Sequence, residues 1–146
     1  MGTRYDIDVV AWANEQAALL RAGKLSQLDI ENIAEEIEDV GKSEKRELAS
    51  RMAVLLAHLL KWQFQPPHRG TSWELTIKGQ RGLIERRLKK TPSLKVAMVD
   101  REWLEDTWFD ALAIASKETG IGLDKLPASC IWTAEQILNQ DYYPES

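Results

Sequence analysis

Apolar residues recur along this chain at spacings of three and four, which is the period of amphipathic helices. No stretch alternates apolar and polar residues between turn signals, as a half-buried strand would. The pattern therefore predicts an all-α fold, a single-domain bundle of about five helices. A length of 146 residues suits one domain, so the predicted domain is 1–146.

The first predicted helix extends from Asp8 to Ala22, with Asp6 or Asp8 as its N-cap and Gly23 at its end. The residues expected on its apolar face are Val9, Trp12, Ala13, Gln16, Leu19 and Leu20.

The second predicted helix begins after Asp29, which is a favourable N-cap, and its first turns are rich in carboxylates. The expected buried stripe of this helix consists of Ile30, Ile33, Ala34, Ile37 and Val40. A glycine inside a helix costs about 1 kcal/mol. Gly41 therefore predicts a kink or a break, after which Ser43 caps a new start.

The segment from Leu48 to Trp62 contains few strongly polar residues, so it is predicted to be buried nearly all round. Its two apolar rows are Leu48, Met52, Leu55, Leu59 and Trp62 on one face and Ala49, Ala53 and Ala57 on another. We interpret it as the central helix, with a second face that meets a neighbouring helix or another subunit. Pro66 and Pro67 are expected to end it, because proline disfavours helical geometry in the residue before it.

Thr71 and Glu74 form a capping-box pattern at the start of the next helix. The inner stripe of that helix is predicted to be Trp73, Ile77, Gln80, Leu83, Ile84 and Leu88, and its solvated side Lys78, Arg81, Glu85, Arg86 and Lys89. A further helix is expected to run from Pro92 to Thr119, closed by Gly120. A short helix around residues 133–139 completes the pattern.

The charge is unevenly distributed along a chain whose net charge is −4. Residues 66–95 contain eight bases and two acids, whereas residues 29–39 contain six carboxylates and no base. A negative total argues against nucleic acid as the main partner, but the basic segment keeps that alternative open.

The single cysteine, Cys130, has no partner for a disulfide, which favours a reducing, cytoplasmic location. Asp6 and Asp8 stand where a secretory signal would carry a basic start and an apolar core. The longest apolar run, "MAVLLA", is too short for a membrane span, so no membrane partner is predicted.

Several long stretches occur together in this order: "YDIDVVAWANEQAALLRAG", "LDIENIAEEIEDVGKSEKRELASRMAVLLAHLLKWQFQP", "RGTSWELTIKGQR", "PSLK" and "EQILNQDYYP". As a set they resemble the cyanobacterial family catalogued as domain of unknown function 29. The resemblance spans almost the whole chain and implies a single helical domain. It carries over no activity, cofactor or catalytic residue.

Glu35, Glu38 and His58 are the candidate metal ligands, together with Glu31, because carboxylates three and four residues apart share a helix face. Neither histidine has a glutamate three residues before it, as carboxylate-bridged helical bundles require. We therefore predict no cofactor and interpret the carboxylates as a solvated helix start.

A polar corner is predicted where the central helix ends and the next begins, in "HLLKWQFQPPHRGTSW". Its members, which form the candidate pocket, are His58, Trp62, Gln65, Arg69, Trp73, Gln80 and Arg81. A pair of tryptophans with N–H groups bonded to amides explains this composition without a ligand.

The stretch "KGQRGLIERRLKK" forms a basic patch on the helix that follows the corner. Its members are Lys78, Arg81, Arg86, Arg87, Lys89 and Lys90. Such a patch can contact phosphates, but a helix C-terminus also favours cations, and pairing with the acidic residues 29–39 is the simpler expectation.

We predict a non-enzymatic helical protein that acts through a protein partner or through self-association. Two alternatives stay open: a metal- or small-ligand-dependent helical-bundle enzyme, and a nucleic-acid-binding protein that uses the basic patch.

Overall fold

The computed structural model describes residues 2–145, and the predicted all-α fold is confirmed. Among these residues there are five α-helices, joined by loops and short 3₁₀ helices, and no strand. The helices are α1 Val9–Arg21, α2 Ile30–Phe64, α3 Thr71–Lys90, α4 Arg101–Thr119 and α5 Ala134–Leu138. The chain divides into two compact units, an N-terminal unit of residues 1–43 and a C-terminal unit of residues 44–146. One domain over 1–146 stays a prediction.

Helix α1 begins and ends where the sequence indicates. The side chain of Asp8 accepts a hydrogen bond of 3.0 Å from the backbone N–H of Ala11, so Asp8 is the N-cap. Gly23 has a φ of 72°, a left-handed conformation that glycine adopts without strain. A 3₁₀ helix at Leu25–Gln27 then leads into α2.

Helix α2 continues through Gly41, so a break there is wrong, whereas the alternative of a kink stays a prediction. Residues with good helix propensity, mainly Glu, Lys and Arg, flank the glycine and offset its cost. The expected burial of its first stripe is also wrong, because the side chains of Ile30, Ile37 and Val40 are 67%, 67% and 66% exposed.

The second half of α2 forms the centre of the C-terminal core, which confirms that this segment is buried nearly all round. Its buried residues are Leu48, Met52, Ala53, Leu55, Leu56, Ala57, Leu59, Leu60 and Lys61. They pack with buried side chains of α3, α4 and the C-terminal segment, among them Ile77, Ile84, Trp108, Leu112 and Ile137. Both apolar faces of the central helix are therefore covered within the C-terminal unit itself.

Helix α3 begins with Thr71 as its first residue and Gly70 as its N-cap, with no side-chain capping bond, so the predicted capping box is wrong. The capping box occurs instead at α5, where Thr133 and Gln136 bond reciprocally at 3.0 and 3.1 Å. The 3₁₀ turn Pro66–His68 separates α2 from α3, as the two prolines indicate.

The single helix expected from Pro92 to Thr119 is wrong, because a 3₁₀ helix occupies Pro92–Val99 and α4 begins at Arg101. The 3₁₀ repeat of three residues places Leu94 and Ala97 on the same, buried side. Asp100 then adopts an extended conformation that interrupts the helical path before α4.

Helix α4 ends as predicted, at Gly120 with a φ of 79°. None of the helices among residues 2–145 is both long and apolar enough to cross a bilayer.

Candidate functional site

The polar corner predicted at the end of α2 is organised around Tyr143, near the end of the chain. The ring of Tyr143 lies 4.8 Å from that of Trp62, centroid to centroid, and the guanidinium of Arg81 lies 5.6 Å from the Tyr143 centroid. Arg69 donates from Nε to the carbonyl oxygen of Trp62 at 2.6 Å, with its guanidinium 5.3 Å from the Trp62 ring. The structure thus places two of the seven predicted residues, Trp62 and Arg81, against Tyr143, and a third, Arg69, against Trp62.

The two tryptophans of the corner have different partners, in place of the tryptophan pair expected from sequence. Trp62 packs against Tyr143, whereas the ring of Trp73 lies 5.2 Å from Nζ of Lys61. Lys61 is 8% exposed and forms an ion pair of 2.7 Å with Glu118 of α4. The ring of Trp73 therefore packs beside the nearly buried ammonium group of Lys61.

His58 bonds within its own helix. Its Nδ1 lies 2.9 Å from the carbonyl oxygen of Val54, one turn earlier. Burial lowers the pKa of His58 from its usual value, and this carbonyl acts in the opposite direction. The imidazole is therefore neutral at pH 7, as expected for a half-buried histidine with a structural role.

The two amides of the corner do not converge on a common point of contact. Gln65 follows the last residue of α2, where its backbone N–H donates to the carbonyl oxygen of Lys61 at 2.9 Å. Gln80 is partly buried, and its Oε1 has no hydrogen-bond partner among the residues that the structure describes. The candidate pocket thus divides into a contact cluster at Tyr143 and separate polar positions.

Arg81 was expected on the solvated side of α3, and this is wrong, because the side chain is only 1% exposed. Its Nε donates to the carbonyl oxygen of Ile137 at 2.7 Å and its Nη2 to that of Gln136 at 3.3 Å. These carbonyls lie at the C-terminal end of α5, where the helix leaves its own acceptors unpaired and favours a cation. Burial lowers the pKa of Arg81, while Tyr143 acts in the opposite direction.

The basic patch is smaller than predicted, since Arg81 is buried and Arg87 is engaged with carboxylates. Arg87 lies 3.1 Å from Glu44 and 3.4 Å from Glu47, both on α2. Lys89 has Glu85 at 4.0 Å on its own helix. Four members of the patch are exposed: Lys78, Arg86, Lys89 and Lys90. Residues 29–39 supply no partner in the ion pairs seen for this helix.

The candidate metal ligands are not assembled into a site. Glu35 and Glu38 are exposed positions of α2 in the N-terminal unit, whereas His58 belongs to the C-terminal unit. Within residues 2–145, no group of three or more His, Cys, Asp or Glu side chains is arranged to hold a metal ion.

Residues 9–40 of the N-terminal unit form a helical hairpin that is stabilised by hydrogen bonds at Asp29. Asp29 accepts hydrogen bonds from Nε1 of Trp12 at 3.0 Å and from Nδ2 of Asn32 at 2.8 Å. Its backbone N–H donates to Oε1 of Gln16 at 2.9 Å, and Gln16 is buried. The bond from Asn32 is the main reason that the pKa of Asp29 lies below its usual range.

An open apolar groove of about 340 Å³ lies between the two arms of this hairpin, and we call it the N-terminal groove. The groove is lined by Trp12, Ala13, Gln16, Ala17, Leu20, Ile33, Glu36, Ile37 and Val40. Trp12 is 3% exposed, but Leu20, Ile37 and Val40 are between 48% and 67% exposed. Large apolar side chains at a rim of this kind are typical of an interaction surface.

One end of the groove is fixed by Tyr5, which precedes α1. The Tyr5 hydroxyl donates to Glu36, and this bond raises the pKa of Tyr5 to about 12. The Tyr5 ring packs edge-on against Trp12, with centroids 4.7 Å apart. The groove therefore has a buried aromatic floor at Trp12 and one carboxylate, Glu36, that is already engaged, while its apolar rim is open to solvent.

Comparison with protein families shows the family to which this helical chain belongs. The model described as "Domain of unknown function DUF29" matches residues 4–143. The chain belongs to the DUF29 family. No curated protein and no solved structure matches it. The DUF29 description assigns no activity and no functional residue, so the choice of a site rests on the geometry of this chain.

Sequence reasoning missed both parts that the geometry favours. Tyr143 was not among the predicted corner residues, although a pair of tyrosines in a polar tail, next to the buried Pro144, indicates docking onto a core. The N-terminal groove was missed because its residues were expected to be buried. The sequence did carry one signal of exposure, the short length of this region. Helix α1 has 13 residues, and together with the first turns of α2 it offers too few side chains to cover the apolar faces of both helices.

Proposed function

We propose that this DUF29 protein is a non-enzymatic binding protein whose N-terminal groove accepts a helix of another protein. The observation that carries the proposal is the exposure of Ile37 and Val40, 67% and 66%, beside the buried Trp12. Two helices with an apolar groove between them are completed by a third helix, as in other helix-in-groove interactions. Ala13 and Ala17 line the groove and allow a neighbouring backbone to approach closely.

The charge of the N-terminal unit favours a basic partner. Residues 1–43 contain nine carboxylates and four bases, and the segment 29–39 contains six carboxylates and no base. A partner helix with apolar residues on one face and Lys or Arg beside them complements both features. We therefore commit to a basic amphipathic helix as the occupant.

A second copy of this chain complements the groove less well, because an isologous contact would bring two acidic units together. Self-association was expected from a second apolar face on the central helix. Both faces of that helix are covered within its own unit, so this face is not available to a second copy. Self-association through the N-terminal groove is therefore kept as an outcome of the test below.

The proposal is tested with the full chain and a synthetic peptide of about 18 residues, with leucine on one helical face and lysine on the other. We expect saturable binding in fluorescence anisotropy. Ile37→Gln and Val40→Gln should each weaken it by about tenfold, because burial of such a side chain contributes about 1.5–3 kcal/mol. Val96→Gln is the matched control, since Val96 is 69% exposed in the C-terminal unit.

A second peptide with glutamate in place of lysine separates charge complementarity from non-specific hydrophobic binding. It should bind about tenfold more weakly at low salt. Equal binding of the two peptides, or equal binding by Ile37→Gln and wild type, would contradict the proposal. Sedimentation tests the second copy as the occupant. If the wild type sediments as a dimer and Ile37→Gln as a monomer, the occupant of the groove is a second copy of this chain.

We also propose a cyanobacterial source and a cytoplasmic location for this protein. The first rests on the family resemblance of the sequence stretches quoted above. The second is supported by the presence of one cysteine, Cys130, which leaves no pair for a disulfide. A metal-dependent enzyme and a nucleic-acid-binding protein remain alternatives, but neither has an assembled set of residues comparable to the N-terminal groove.

A further inference from the structure

A second concave site lies in the C-terminal unit, apart from the N-terminal groove. It is a cavity of about 160 Å³ between the second half of α2, α4 and the segment that leads into α5. Its walls include Met52, Leu56, Met98, Thr107, Trp108 and Trp132. Four of these six, Met52, Leu56, Trp108 and Trp132, belong to the buried apolar core.

Two polar groups of the walls, on Thr107 and Trp108, are already bonded within the protein. The hydroxyl of Thr107 donates to the carbonyl oxygen of Trp103 at 2.7 Å, and Nε1 of Trp108 donates to that of Pro127 at 2.9 Å. Neither group needs a partner inside the cavity. A ligand there would meet apolar atoms and aromatic rings, so a polar ligand would lose its bonds to water without replacing them.

The aromatic and sulfur-containing walls suit a flat apolar molecule. The rings of Trp108 and Trp132 pack edge-to-face, with centroids 5.8 Å apart and an angle of 71°. Met52 and Met98 have flexible, polarizable side chains that adapt to the edge of an aromatic ring. The walls therefore combine a fixed aromatic corner with two adjustable side chains.

The cavity borders a more open cleft at the surface of the C-terminal unit. Leu104, Trp108 and Cys130 line both the cavity and an adjoining open cleft of about 370 Å³. Two of these three residues reach solvent, since Leu104 is 43% exposed and Cys130 is exposed.

We propose that this cavity binds a small apolar ligand of the size of one aromatic ring. An apolar cavity of about 150 Å³ is large enough to hold benzene. The size and the wall chemistry of this cavity match those requirements. The site is independent of the N-terminal groove, because all its residues belong to the C-terminal unit.

The test uses toluene as the probe and methionine methyl groups as the reporters. The chain contains three methionines, and two of them, Met52 and Met98, line the cavity. In protein labelled with ¹³C at the methionine methyl groups, the Met52 and Met98 signals should shift saturably with toluene. Met52→Leu and Met98→Leu assign the signals.

Ala134→Phe is the blocking variant, because Ala134 lines the cavity but is exposed and should tolerate a larger side chain. It should weaken toluene binding at least tenfold. Leu56→Phe fills the same cavity from its buried side and serves as the second variant. Ala113→Phe is the control, since Ala113 is an exposed residue of α4 that does not line the cavity.

Phenol tests the chemical class, because it matches toluene in shape but carries a hydroxyl group. Because the Thr107 hydroxyl and the Trp108 N–H are already bonded to carbonyl groups, phenol should bind about tenfold more weakly than toluene. The proposal is overturned if the methionine signals shift without saturation, if phenol binds as tightly as toluene, or if both blocking variants bind toluene like the wild type.

Discussion

The Nε of Arg81 donates a hydrogen bond of 2.7 Å to the carbonyl oxygen of Ile137. A cation of α3 thus closes the C-terminal end of α5, and it does so at 1% exposure. The bond joins residues that are 56 positions apart in the chain. It explains how a helix of five residues, too short to be stable alone, is held on the core.

Arg81→Met should lower the free energy of unfolding by about 2 kcal/mol, because the carbonyl groups of the buried Ile137 and the partly buried Gln136 lose a charged donor. Hydrogen exchange of the amides in residues 134–143 should accelerate more than exchange in α2. Lys78→Met is the matched control on the same helix, since Lys78 is exposed. Its effect should stay within about 0.5 kcal/mol. An unchanged exchange pattern in Arg81→Met would mean that Arg81 does not hold α5.

Gly41→Ala should stabilise the protein by about 0.5–1 kcal/mol, because α2 is continuous and alanine has the higher helix propensity. A methyl group at Gly41 meets no atom within 4 Å. Gly120→Ala has the opposite expected sign, a loss of about 1 kcal/mol, since Gly120 has a φ of 79°. Urea denaturation of both variants gives the comparison. Destabilisation by Gly41→Ala would indicate a break in α2.

The ion pair between Lys61 and Glu118 should matter more than the surface pairs. Glu118→Gln leaves the ammonium of Lys61, only 8% exposed, without its carboxylate at 2.7 Å. We expect a loss of about 1–2 kcal/mol in thermal or urea denaturation, reduced from the cost at a fully buried pair because Glu118 is half exposed. Glu105→Gln, which breaks the exposed pair with Arg101, should change the stability by less than about 0.5 kcal/mol.

The buried state of His58 predicts a pH dependence of stability. Burial lowers its pKa in the folded protein, so the unfolded chain binds the proton more readily. The stability contribution of neutral His58 is complete above the unfolded pKa, about 6.5, and is lost as the pH falls from there toward the folded value. Urea denaturation between pH 8 and pH 5 should show the stability advantage of wild type over His58→Gln shrinking with acid. A constant difference would contradict this assignment.

The elements of the fold were predictable because their signals are local. Asp8 and Gly23 delimit α1, and Gly120 ends α4, since capping and left-handed geometry depend on one or two residues. Burial of the segment from Leu48 to Trp62 was predictable because its composition leaves no polar face.

The errors concern properties that the rest of the fold decides. Arg81 follows the pattern of a solvated helix position, and only the docking of the segment around Ile137 makes that position interior. Ile37 and Val40 follow the pattern of a buried stripe, but nothing in the N-terminal unit covers them among the residues described. The sequence pattern shows which residues suit burial, whereas their actual burial depends on segments distant in the sequence.

The most direct test of the proposed binding surface is a hydrogen-exchange footprint of the full chain with the basic amphipathic peptide. We expect slower exchange within residues 9–21 and 30–40, which carry the N-terminal groove, and no change in α3. Protection confined to the basic end of α3, or the absence of any protection at saturating peptide, would contradict the claim that this groove is where the protein binds its partner.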